Sequence, residues 1–375
     1  MIDKIYFIVT ALASGGALVL GLCFLFLYIP QSTFLKGYRI ARKTAASAYL
    51  GLSLLYLVEI IFHNPDISYP LSKSIKLIVG SLQALFFTYT FISLFNTHFV
   101  SRKKILWEIA PISVFIVALL TSYIWAANTA AFQISFFLFL GYYVSLLIRY
   151  LVLFLKEYRA CFNRADNYYS GEESLRLRWI YYSFFGMFTV GLMLLVLLIL
   201  PESDFFYSLF IFCFVLLYSY FGIGFINYSY RYKIIEPLDT TENPHEILPE
   251  NNNDKKKQAE MIGEALTRWV LQERFTQQGL TIEDLSTELS TNRTYLSAYI
   301  NQVEQQSFRS WINHLKIDKA KKLLLTHPEM LVVEVAGLAG YTDSSNFNKQ
   351  FVKITGSSAL VWRKRELAKK RNTEN

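Results

Sequence analysis

Apolar side chains run almost unbroken in long blocks over the first 226 residues, and beyond residue 258 they return instead at every third or fourth position. The blocks are 6–29, 45–62, 77–95, 105–125, 130–155, 179–200 and 205–226, each 18 to 26 residues long. At about 1.5 Å rise per residue such a block crosses a hydrocarbon layer of roughly 30 Å, and seven of them exceed what a soluble core of this size could hide. The pattern predicts seven transmembrane helices. The first block is too long for a secretory signal, has only Lys4 before it and ends without a small-residue cleavage site, so it reads as a retained helix.

Basic residues then set an orientation, because Lys- and Arg-rich loops resist translocation. Lys36, Arg39, Arg42 and Lys43 fall in the first loop, Arg102, Lys103 and Lys104 in the third, and Lys156, Arg159, Arg164, Arg176 and Arg178 in the fifth. Arg231 and Lys233 bring that side to fourteen, against Lys4, Lys73 and Lys76 on the other. The N-terminus is expected outside and the C-terminus in the cytoplasm. Trp107, Trp125 and Trp179 near block ends fit aromatic interface belts.

Composition sharpens this picture. Of 375 residues 53% are apolar and 18% charged, which argues against an ordinary cytosolic enzyme. The formal charge of +8 divides unevenly: 18 basic and 16 acidic residues lie up to Asp254, and 19 and 13 beyond it. Cys23, Cys161 and Cys213 are far apart and read as buried thiols rather than a disulfide or metal framework. Within the spans only Glu59, Glu108 and Arg149 are ionisable, each near a helix end where snorkelling is cheap. Gln83 and Gln133 read as interhelical hydrogen-bonding residues. The five histidines, His63, His98, His245, His314 and His327, never recur at ligand spacing, so no metal or cofactor is expected. Glu172 and Glu173 read as a solvated cluster in a loop. The external loops are short, so a stimulus would enter through the helices, as a small or lipophilic ligand or as a membrane partner or state.

Residues 234–257 hold Pro237, Pro244, Pro249 and three consecutive asparagines, the composition of a flexible acidic linker between a membrane domain at 1–233 and a second domain at 258–370. In that second domain Thr281, with Asp284 three positions later, caps a helix ending near Leu289. A turn leads to a helix with Tyr295, Leu296, Tyr299 and Ile300 on one face and Arg293, Thr294, Ser297 and Asn301 on the other. The arrangement repeats: a helix begins at Val332, Gly340 and Tyr341 turn, and Asp343 caps a helix whose core side is Phe347 and Phe351. Its exposed side is Ser344, Ser345, Asn348 and Lys349, with Lys353 placed for a phosphate. A helix from Phe308 to about Leu324 connects the two pairs. Its roughly 25 Å could hold two reading helices near one DNA turn apart.

These residues resemble the paired helix-turn-helix domain of the AraC/XylS family of bacterial transcription regulators over about 258–365. The carriers are Tyr295-Leu296-Ser297, Trp311-Ile312-Asn313, Lys316-Ile317, Ala320, Glu334-Val335-Ala336, Gly340-Tyr341, Asp343, Ser345, Phe347, Phe351, Gly356 and Trp362-Arg363. Ala359 replaces the family's usual proline, Leu331 its small polar cap, and Lys316 its arginine. The resemblance implies duplex DNA binding, with Asn292, Arg293, Thr294 and Ser297 as the first base-facing set and Ser344, Ser345, Asn348 and Lys349 as the second; Asn301 and Lys353 complete the expected DNA-binding residues. Paired donors and acceptors on Arg and Asn match guanine and adenine edges.

The expectation is an all-α chain: a seven-helix membrane domain in a bacterial cytoplasmic membrane, acting as sensor or anchor, with a DNA-binding tail inside the cell. Its partners are promoter DNA, the lipid bilayer and, through dimerisation, a second copy. The alternative is a transporter or membrane enzyme carrying a regulatory tail.

Overall fold

Each apolar block is helical: α1 Ile2–Phe26, α2 Lys36–Phe62, α3 Tyr69–Ser93, α4 Arg102–Ala126, α5 Ala130–Tyr168, α6 Arg178–Ile199 and α7 Asp204–Tyr228. All seven are long and apolar enough to cross a membrane. This computed structural model describes residues 2–31, 35–62, 69–97, 99–126, 130–171, 177–200, 203–228 and 252–374, and no strand occurs among them. The fold class is all-α. Glu172, Glu173 and most of the linker at 234–257 lie outside the described residues.

The chain divides into an N-terminal unit, Met1–Cys161 with Leu177–Asp239, and a C-terminal unit, Phe162–Arg176 with Thr240–Asn375. The fifth helix corrects the sequence reading. It continues past Leu155 to Tyr168, so Lys156, Arg159 and Arg164 are helical rather than loop residues. Charge marks where hydrocarbon ends, not where a helix ends, and Phe154, Cys161 and Ala165 keep a buried stripe going at helical spacing.

In the N-terminal unit α2 packs on α1 and α3, and α7 on α1 and α6. Buried tyrosine hydroxyls stitch these helices together, because an O–H in an apolar interior needs a partner. Tyr49 donates to the carbonyl of Tyr218 at 2.6 Å, Tyr218 to Ala13 at 2.9 Å, and Tyr38 to Phe225 at 2.7 Å. Small residues allow the close approach: a Cβ on Gly224 would lie 2.6 Å from the Trp179 indole nitrogen. Leu12, Val19, Phe26, Trp107 and Trp125 are exposed, an apolar surface unsuited to water.

The ionisable residues of the spans are paired rather than snorkelled. Glu108 on α4 meets Arg149 on α5, with the Tyr150 hydroxyl donating to the same carboxylate at 3.1 Å. Glu59 accepts from Tyr207 at 2.9 Å and lies 3.7 Å from the Lys76 ammonium. Gln83 makes the expected interhelical bond, its amide nitrogen donating to Ala48 at 2.9 Å. Gln133 is exposed instead, because its position on α5 falls outside the buried stripe of Phe132, Phe136 and Phe139. The buried-thiol expectation fits Cys161, whereas Cys213 is half-buried and Cys23 exposed on the apolar outer surface of α1.

The C-terminal unit contains α8 Asn252–Leu271, a 3-10 turn Arg274–Thr276, α9 Ile282–Glu288, α10 Arg293–Gln302, α11 Phe308–Thr326, α12 Val332–Leu338, α13 Ser344–Thr355 and α14 Ala359–Glu374. Two apolar cores form. Trp269, Leu285, Leu296, Ile300, Phe308, Trp311 and Ile312 belong to the first, and Ile317, Leu324, Val335, Phe347 and Phe351 to the second. The long helix α11 supplies its first half to one core and its second half to the other.

Candidate nucleic-acid interface

Each helix pair is set by its caps. Thr281 accepts from the Asp284 amide at 3.1 Å while the Asp284 carboxylate accepts from the Thr281 amide at 3.0 Å, the reciprocal box expected from the sequence. Asp343 accepts from the amides of Ser345 and Asn346 and so starts α13. Leu331 has no side-chain oxygen, and only half a box survives at α12, the Leu331 amide donating to Glu334 at 2.9 Å. Asn292 is the cap of α10, its side-chain oxygen accepting from Thr294 at 2.7 Å.

The two reading helices differ in how open they are. On α13 Ser344, Ser345, Asn348, Lys349 and Lys353 are all exposed. Of the five residues named for the first unit only Asn301 is exposed, and its amide nitrogen is turned to the Ser297 carbonyl at 2.8 Å. Asn292, Thr294 and Ser297 are half-buried. Arg293 retains 25% side-chain exposure: one guanidinium nitrogen lies 3.5 Å from Glu283, and the group sits 5.7 Å over the ring of Tyr168.

Tyr168 belongs to the segment Phe162–Arg176, whose contacts here extend further. Arg309 Nη1 pairs with Asp166 at 3.1 Å, Ser170 donates to the Leu280 carbonyl from both its amide (3.1 Å) and its hydroxyl (2.6 Å), and Tyr169 forms an antiparallel bridge with Thr281. Nothing in the apolar spacing of 162–171 marks it as part of this unit. Two polar residues of α11, quoted above only for the resemblance, also hold the unit together. Lys316, only 7% exposed, donates to the carbonyl of Gly340, and Asn313 accepts from the Tyr341 hydroxyl at 2.9 Å while donating to Arg309 at 2.8 Å. Burial pushes the Tyr341 phenol well above its usual range. Gly340 turns with φ +88°, and its backbone approaches Thr276 so closely that a Cβ would lie 2.2 Å from that carbonyl oxygen.

Two helix pairs on one shared helix, each with a capped second helix, match a known pattern: residues 285–365 fit the family described as "Helix-turn-helix domain". The chain carries an AraC-type helix-turn-helix domain. Relatives include the raffinose operon transcriptional regulatory protein of Pediococcus pentosaceus, 32% identical over 30% of this chain and 39% of that protein. The Msm operon regulatory protein of Streptococcus mutans is 25% identical over 36% of this chain and 45% of that protein. The melibiose operon regulatory protein of Escherichia coli K12 is 29% identical over 23% and 28% respectively. The chain thus spans less than half the length of each of these relatives. No solved structure matches it. The family match lies wholly beyond α7, in the C-terminal unit.

The N-terminal unit has its own concavity, a recess lined by residues of α2, α3, α5, α6 and α7. Its wall is largely apolar, but Glu59, Lys76, Gln83 and Tyr207 line it too. Gln83 is buried and its carbonyl oxygen has no hydrogen-bond partner. A few polar groups in an otherwise apolar concavity are the usual make-up of a small-molecule site.

Proposed function

We propose that this chain is a membrane-embedded one-component transcription regulator. It binds specific duplex DNA through its two helix-turn-helix units, while the seven apolar helices sit in the bacterial cytoplasmic membrane as sensor and anchor. The carrying observation is the coexistence, in one chain, of an AraC-type domain with seven helices long and apolar enough to span a bilayer. The fourteen-to-three distribution of basic residues supports a cytoplasmic C-terminus, the compartment that contains DNA. The recess among α2, α3, α5, α6 and α7 supports a sensing role, and its apolar wall favours a small ligand with a single polar end. Mutual pairing of Glu59 with Lys76 and of Glu108 with Arg149 favours structural roles for these charges over a transport path. The regulators matched by sequence support regulation of an operon, with dimerisation as one route from stimulus to DNA.

The full-length protein in lipid nanodiscs, incubated with sheared genomic DNA of its own organism, is expected to retain one or a few fragments. Those fragments should bind at least about a hundredfold tighter than random duplex, the low side of specific recognition. Equal retention of all fragments would overturn the reading.

A further inference from the structure

We propose that residues 162–171 form an intramolecular clamp on the first helix-turn-helix unit, which holds Arg293 against protein and so keeps that unit in a weakly binding state until the clamp is released. The inference rests on the regulator reading above and names the device by which the regulator is switched.

The contacts of this segment converge on three neighbouring places, the starts of α9, α10 and α11. Tyr169 and Ser170 hold Leu280 and Thr281 just before α9, Tyr168 lies beneath Arg293, the first residue of α10, and Asp166 pairs with Arg309, the second residue of α11. In a helix-turn-helix the N-terminal residues of the second helix meet base edges and the first helix crosses the phosphate backbone. The clamp therefore gathers where DNA must arrive. It also brings Asp166 to a surface that already carries Glu283, and two carboxylates there oppose phosphate.

Arg293 shows the effect most directly. A guanidinium reads guanine by presenting two N–H groups in one plane. Here it is laid over an aromatic ring and drawn to a carboxylate, with three quarters of the side chain covered. The second reading helix provides the contrast, because Ser344, Ser345, Asn348 and Lys349 are all exposed, as is Lys353. One unit is covered and the other open, so the docked protein would hold DNA through α13 alone.

Release needs a lever, and the chain supplies one. Asp166 and Tyr168 lie in the last turn of α5, the helix that also contributes Tyr143, Leu147 and Tyr150 to the lining of the recess. The individual bonds are few and the Asp166–Arg309 pair keeps some exposure, so the clamp is reversible, and its permanent attachment to the chain keeps its effective concentration high.

The test uses the full chain in nanodiscs and the operator fragments selected as above. If wild-type protein selects no fragment, the regulator reading fails and the clamp is not at issue. If it does, Tyr169→Cys with Thr281→Cys is made in a background where Cys23, Cys161 and Cys213 are alanine. Opposed residues of an antiparallel bridge have the short separation that a disulfide requires. The oxidised protein is expected to bind operator at least fivefold more weakly than the same sample after reduction, which compares one folded molecule in two states. Independently, Asp166→Asn should tighten operator binding at least fivefold more than it tightens binding to random duplex, the latter reporting simple loss of charge. Exchanging the pair, Asp166→Arg with Arg309→Asp, should return affinity to the wild-type value. Failure of the disulfide to form, equal or tighter binding when it has formed, or no operator-selective gain in Asp166→Asn would each overturn the clamp.

Discussion

The Lys316 ammonium lies 3.0 Å from the carbonyl oxygen of Gly340, at the turn between α12 and α13, and 3.5 Å from that of Gln277, beside the first core. One buried cation thus straps the two helix-turn-helix units together from the helix they share. Replacing it with methionine keeps the aliphatic stem but leaves two carbonyls without their donor. Lys316→Met is expected to lower protection of α12 and α13 amides in hydrogen exchange by about 1–3 kcal/mol, while Lys316→Arg, which restores donors, should lose less. Equal protection in wild type and Lys316→Met would show that the strap contributes nothing.

Gly340 itself combines a positive φ with a backbone approach to Thr276. A side chain at this position meets both strain and collision. Gly340→Ala should destabilise the domain by roughly 1–3 kcal/mol, read as a lower thermal midpoint, whereas alanine at Gly337, where a Cβ would meet nothing within 4 Å, should be tolerated.

The residues named for DNA separate by role. With the clamp released, as in an Asp166→Asn background, Arg293→Ala should weaken operator binding by about 1–3 kcal/mol and relax discrimination at one base pair, while Lys353→Ala should weaken all duplexes alike and reduce the slope of log affinity against log salt by about 1. Asn292 serves as a helix cap, and serine caps as well as asparagine. Asn292→Ser should therefore leave stability within a few tenths of a kcal/mol, and any loss of selectivity in that variant would measure base reading alone.

Tyr341 gives a pH dependence with a definite sign. Its folded phenol ionises above the ordinary value of 10 because burial disfavours the phenolate. The folded state thus keeps the proton that the unfolded chain releases first. The stability linked to this group is complete below pH 10 and declines as pH rises beyond it. Tyr341→Phe should lower stability at neutral pH through loss of the bond to Asn313, yet fall less steeply than wild type between about pH 10 and 11. Parallel curves for the two proteins would contradict this.

Much of this architecture is legible in the chain because the relevant signals are local. Seven runs of apolar residues give seven helices, and Thr281 and Asp343 are recognisable as caps from the next three residues of the chain. The departures have separate causes. The continuation of α5 to Tyr168 was hidden because Lys156, Arg159 and Arg164 resemble a loop by charge, though Cys161 and Ala165 carry the helical stripe onward. The contacts of Asp166, Tyr168 and Ser170 with Arg309, Arg293 and Leu280 link positions more than a hundred residues apart, and no spacing rule reaches that far. Lys316 and Arg293 are basic residues in a basic domain, so only packing tells that one is a buried strap and the other a covered reader.

The sharing of α11 between two cores has a consequence for the DNA rather than for the protein. Neither reading helix can shift along the duplex without carrying the other, so the pair behaves as a ruler of fixed length. Successive major grooves face the same side of DNA only about every 10 to 10.5 base pairs. An operator lengthened by five base pairs between its two contacted blocks would turn the second block to the far side. It should then bind no better than a single block, and an insertion of a full turn should not rescue it, because a rigid ruler measures distance as well as angle.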